Sequence, residues 1–87
     1  MADISIVEID SSTYQVTVAA KNTTTHIVTI QADYAQKLTN GRISNKELLK
    51  KSFEFLLQRE PNTSILRSFD LSVISRYFPE FEGEIKA

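Results

Sequence analysis

The chain has no cysteine, one histidine, two glycines and two prolines, and no apolar run near the roughly 20 residues that a membrane-spanning helix needs. Each scarcity excludes something. Without cysteine there is neither a disulfide framework nor a thiolate metal site, which suits a reducing compartment. His26 stands without a second histidine or a spaced acidic pair, so it does not make a metal site. Gly41 and Gly83 cannot build a glycine-rich phosphate cradle, and the common nucleotide fingerprints are absent. Serines are frequent, but none stands in a G-x-S-x-G elbow. The opening MADISIVEID lacks a basic start followed by an apolar run, so no leader is expected and cytoplasm is the default. Ten basic against eleven acidic side chains give a net charge of −1, with no bulk attraction for phosphate polymers. No nucleophile, base and electrophile are seen together, and the expectation is a non-enzyme with no cofactor.

What is present is patterning. A chain of 87 residues without repeats or low-complexity tracts predicts one domain, residues 1–87, with one modest core. The organising stretch is SNKELLKKSFEFLLQREP, Ser44 to Pro61, which predicts a helix over 44–60. Ser44 and Glu47 have capping-box spacing, and Ile43 with Leu48 can staple over the cap. Leu48, Leu49, Phe53, Phe55, Leu56 and Leu57 occupy more than one stripe, so this helix must be covered from two directions, with 48–57 as the centre of the core. Pro61 removes a donor and stops it.

Before it, residues 4–9, 13–20 and 24–32 are rich in β-branched residues and alternate apolar with polar, predicting a three-stranded antiparallel meander. With turns at 10–12 and 21–23, Ile4, Val18 and His26 align, as do Ile6, Val16 and Val28, and Glu8, Tyr14 and Ile30. This face should meet the helices, with His26 at the sheet rim. The opposite face is mostly threonine and glutamine, with Val7, Ile9 and Ile27 as its aliphatics and no charge at its strand positions. Asp33 can cap a short helix over 33–39, ended by Asn40-Gly41 in the left-handed region. Beyond Pro61, Asn62 or Thr63 can cap a segment over 62–69, Asp70 can break it, and 71–78 continues at helical spacing until Pro79. Whether 62–78 is one kinked helix or two is left open, with the break placed at Asp70. In the acidic tail 80–87, Glu80 to Glu84 reads as extended, anchored by Phe81, with the last few residues frayed.

Two surfaces are candidates for function. The outer sheet face, with Val7, Ile9, Ile27, Thr17 and Thr29, could be covered by a second copy of the chain or by another protein. The approach to the central helix carries Lys37, Arg42, Lys46, Lys50, Lys51 and Arg59. Lys46, Lys50 and Arg42 there are the candidate nucleic-acid contacts, the weaker reading, because Glu47 and Glu54 interleave them and acid fills both chain ends. A helix-turn-helix over Ile65–Phe78 has poor support: its second helix would be barely two turns long, with Arg76 as its one base-reading cation.

The run FEFLLQREPNTSILRSFDLSVISRYFPEFE, Phe53 to Glu82, resembles the C-terminal halves of a group of short uncharacterised bacterial proteins. That resemblance implies no activity and carries no functional residues over. Within it, Arg59, Glu60 and Arg76 are the polar residues of most interest, and Arg59 with Glu60 reads as a junction ion pair at a helix end. The sequence therefore predicts an α+β domain, a three-stranded antiparallel meander followed by two to four helices on one face. Its expected role is that of a small protein-interaction module, self-associating or binding another protein through the outer sheet face or an unprotected sheet edge, with no membrane partner.

Overall fold

The structure, a computed structural model, describes residues 3–86. It is an α+β domain. Three strands, β1 (Asp3–Glu8), β2 (Thr13–Ala19) and β3 (Thr23–Thr29), form the antiparallel meander. Helices α1 (Ala32–Thr39) and α2 (Asn45–Leu57) follow. They return the chain so that a short strand, β4 (Ser68–Asp70), pairs parallel with β3 and gives the sheet order β1-β2-β3-β4. Two short helices, α3 (Val73–Tyr77) and α4 (Phe81–Lys86), close the fold, with α4 against α1, α2 and α3. Among the described residues, no helix is long and apolar enough to cross a membrane.

The first hairpin has the expected register, with Ile4, Ile6 and Glu8 opposite Val18, Val16 and Tyr14. Its turn is held by Asp10, whose Oδ1 accepts the N–H of Ser12 and of Thr13, both at 2.9 Å. The second hairpin is shifted by two from the expected register, its three-residue turn lying at 20–22 rather than 21–23: Ala19 pairs with Thr23, and His26 faces Val16 rather than Val18. A shift of two leaves every side chain on its face, so alternation alone could not choose between the registers. Val16, Val18, Val28 and Ile30 accordingly lie buried on the inner face.

Helix α2 buries Leu48, Leu49, Phe53, Phe55 and Leu56 as its two-stripe pattern requires. Ser44 Oγ accepts the Glu47 N–H at 3.2 Å, the serine half of the capping box. The helix ends at Leu57, short of Glu60, because the N–H groups of Arg59 and Glu60 both turn back to the Leu56 carbonyl ahead of Pro61. Ser44→Ala is expected to cost about 1 kcal/mol, read as a lower midpoint at unchanged slope in chemical denaturation. Helix α1 begins at Ala32 with Gln31 at its cap, so Asp33 does not cap it and lies in the first turn. Its expected stop is present, Asn40 at φ 52° and Gly41 at φ 72°.

The C-terminal third departs most from expectation. No helix spans 62–69: residues Asn62–Ser64 make one 3-10 turn without a side-chain cap from Asn62 or Thr63, and the chain then extends into β4. Ile27 donates to the Arg67 carbonyl (2.7 Å) and Leu71 to that of Thr29 (2.9 Å), so these backbone groups are satisfied by the sheet. Asp70 therefore breaks no helix but ends β4 and turns the chain: its Oδ1 accepts the Ser72 N–H at 3.0 Å, and Ser72 Oγ donates to it at 2.8 Å. Burial works to raise the Asp70 carboxyl, but these bonds and the Gln31 amide outweigh it and hold it low. Between Asp70 and Pro79 only Val73–Tyr77 is helical, and a helix-turn-helix is excluded. The acidic end is not extended; it is α4, with Phe81 fully buried as its anchor.

Candidate functional site

His26 is not at a rim. It is fully buried, its ring 5.4 Å from that of Phe53. Nδ1 lies 2.7 Å from the Leu66 carbonyl, which can only accept, so the proton sits on Nδ1. Nε2 is then free to accept from the Thr24 hydroxyl at 2.8 Å. Asn62 Nδ2 donates to Thr24 Oγ1 (2.9 Å) and to the Asn22 carbonyl (2.8 Å). Both imidazole nitrogens are thus committed to a satisfied chain that pins the second hairpin to the segment after α2. The group is a structural tie, and Asn62 Nδ2 also reaches the carbonyl of Val18 at 3.4 Å, the partner of Thr24 in the observed register.

Arg59 ties the end of α2 to α4. Its guanidinium lies 3.6 Å over the Phe55 ring, while Nη1 donates to the Phe55 carbonyl at 3.1 Å. Nε reaches Glu80 at 3.3 Å and Nη2 reaches Glu84 at 2.6 Å. The expected junction pair of Arg59 with Glu60 is not formed; the partners of Arg59 come from α4 and its approach. On the other side of α4, the Tyr34 hydroxyl donates to Glu82 at 2.8 Å and Lys37 pairs with it at 3.5 Å. The Glu80 carboxyl is held below its ordinary 4.5 by its own backbone N–H and then by Arg59, and that of Glu82 by the Tyr34 hydroxyl and then by Lys37. Burial first, and its bond to Glu82, push Tyr34 up to about 12.

Carboxyl groups lowered in the folded state contribute stability above their unfolded value that is lost as pH falls through the folded one. Acidification below the ordinary 4.5 of these glutamates should therefore loosen α4 while the sheet persists, seen by NMR as early movement of the Phe81 and Arg59 signals. Simultaneous loss of the β-sheet signals would contradict this.

Among the described residues, four surfaces bear on the candidate readings. The first is the free edge of β1. Ile9 donates to the Thr13 carbonyl at 2.9 Å in the same ladder, so odd residues of β1 bond to β2 and the N–H and C=O groups of Ile4, Ile6 and Glu8 point out from the sheet. Beside this edge runs an open trough of about 1020 Å³, lined by Asp3, Ile4 and Ser5 of β1 and by Lys50, Glu54 and Leu57 of α2. The second is the outer sheet face. Val7, Gln15 and Ile27 share one row across three strands, with Ser68 beyond, so Val7 does not lie beside Thr29 as the expected register had it. Val7 and Ile9 are 56% and 53% exposed, while Ile27, Thr17 and Thr29 are half-buried.

The third is an apolar groove of about 390 Å³ between the end of α2 and α3, floored by Leu56, Ile65, Phe69 and Ile74, with Glu60 and the exposed Tyr77 on its rim. The fourth is a cleft of about 410 Å³ at the corner between α1 and α2, where Lys37, Arg42, Lys51 and Lys86 surround Leu38 and Ile43 with no carboxylate in its lining. The basic candidates are thereby divided. Arg42 joins this cleft, Lys50 lies in the β1 trough beside Asp3 and Glu54, and Lys46 is exposed on the first turn of α2. Lys86 was missed because α4 was not recognised as a helix, and nothing in the sequence places residue 86 beside residue 42. An unprotected sheet edge was expected, but which strand carries it is set by strand order, β1-β2-β3-β4, and not by residue type. Among the described residues no group of three or more metal-ligating side chains comes together. No family model, no curated protein and no solved structure matches the chain.

Proposed function

We propose that this chain is a small, non-enzymatic, cytoplasmic protein-interaction module that accepts an extended strand along the free edge of β1. The observation that carries this reading is an unguarded edge. Natural sheets blunt edge strands with lysine, proline, bulges or a covering element. β1 has six residues, no proline, no lysine and an uninterrupted ladder to β2, with its two charges, Asp3 and Glu8, confined to its ends. The other edge strand, β4, has only three residues. A trough walled by a helix beside an open strand is the arrangement in which an added strand gains main-chain hydrogen bonds and places alternate side chains against the helix. The exposed Val7 and Ile9 lie along the same margin and would be partly covered. Native mass spectrometry of the protein recovered gently from its own cell tests this: a complex with a second copy or another protein is expected, and a bare monomer under all gentle conditions would overturn it.

A second reading, weak nucleic-acid binding, has its own observation, the four cations of the α1–α2 corner. It predicts retention on heparin that falls steeply with salt. Arg42→Glu combined with Lys51→Glu should abolish that retention, whereas Lys46→Glu with Lys50→Glu should leave it. Elution of all these proteins alike would remove this class.

A further inference from the structure

We infer that the strand received at the β1 edge is β1 of a second copy of this chain, antiparallel about a twofold axis at Ile6; this rests on the reading of that edge as the interaction site. The geometry selects the register. Only residues 4, 6 and 8 of β1 present backbone groups outward, and hydrogen-bonded pairs form between outward-facing residues. One antiparallel register pairs all three with their own set: Ile4 with the second copy's Glu8, Ile6 with Ile6, and Glu8 with Ile4. A slip of two residues either way leaves one of them unpaired within the strand.

The register also fixes where the charges of β1 fall. Glu8 shares the helix-side face with Ile4 and Ile6, since it pairs with Tyr14. In the paired sheet the second copy's Glu8 comes beside Ile4, at the trough whose one cation, Lys50, stands with Asp3 and Glu54. No two like charges of β1 lie opposite each other. On the outer face Val7 falls opposite Ser5 of the other copy, and the two Val7 side chains flank the axis. Such an interface is isologous and closed: each copy uses its one long free edge and the assembly stops at two. The four-stranded sheet becomes continuous across the pair.

Ser5 and Val7 are exposed and form non-hydrogen-bonded cross-strand pairs in this register, the closer of the two pair types. The chain has no cysteine of its own. Mixing Ser5→Cys chains with Val7→Cys chains under mild oxidation is expected to give a disulfide-linked heterodimer well in excess of either linked homodimer. In sedimentation velocity, wild type should shift toward dimer with concentration, Val7→Lys should remain monomeric with an unchanged circular dichroism spectrum, and Ile27→Lys should still dimerise. Glu8→Lys and Lys50→Glu should each weaken the dimer, and the double variant should recover it.

Preferential Ser5–Ser5 linkage, or loss of the dimer with Ile27→Lys but not with Val7→Lys, would overturn the inference. A strictly monomeric wild type would do so too. If native spectra then show a different protein bound, only the self-pairing falls; if they also show a bare monomer, the interaction reading falls with it.

Discussion

Phe53→Ala is expected to cost roughly 3 to 5 kcal/mol, the range for deleting a fully buried aromatic side chain. Phe53 is completely inaccessible and sits where the layers meet, 5.4 Å from the His26 ring on the sheet and 6.2 Å from that of Phe69 on β4. Removing it opens a cavity bordered by two strands and α2, elements whose backbones cannot close the gap without breaking the ladder. A domain of this size has a total stability of about 5 to 15 kcal/mol, so the variant should fall near the limit of folding, with a midpoint some 12 °C or more lower. Thermal and chemical denaturation against Ser44→Ala decide the matter. A cost no greater than that of the lost cap would mean that α2 is not the core element.

His26→Ala is expected to cost about 3 kcal/mol or more, although histidine contributes little apolar mass. The loss has two parts. The ring leaves a cavity against Phe53, and the Leu66 carbonyl and Thr24 hydroxyl lose their buried partner, each unsatisfied group adding roughly 1 to 3 kcal/mol unless water enters. The segment 62–70 depends on this tie, so amide exchange should quicken at β4 before it does in the β1–β2 hairpin. Asn62→Ala should show the same spatial pattern with a smaller total, because it leaves the His26–Leu66 bond in place. Uniform acceleration across the whole sheet would mean that the network adds stability without pinning the second hairpin to the turn after α2.

These residues also mark where the sequence was legible. The meander, the two-stripe helix and its serine cap could be read because each depends on local periodicity or on spacing within a turn. The face of every β1–β3 residue could be read for the same reason. The register of the second hairpin could not, since two registers two residues apart satisfied the same alternation. β4 was hidden because a three-residue strand, Ser68-Phe69-Asp70, has no readable period; its pairing is set by β3 and by Phe69 meeting Phe53. α4 was hidden because its sequence, FEGEIK, is acidic and holds a glycine, and it forms where Arg59 gathers Glu80 and Glu84 while Phe81 packs against Phe55. The candidate surfaces followed suit. Val7 and Ile9 were visible as exposed aliphatics, whereas the open backbone beside them, which gives them a purpose in the proposed pairing, is a property of strand order.

Residue-resolved amide hydrogen exchange across β1, in dilute and in assembled samples, tests the role of this edge most directly. In dilute solution the amides of Ser5 and Val7, bonded to β2, should be protected while those of Ile4, Ile6 and Glu8 exchange fast. In the assembled sample, Ile4, Ile6 and Glu8 should gain protection to the level of their neighbours. If these three amides stay fast in a sample shown to be assembled, the free edge of β1 is not where this protein meets its partner.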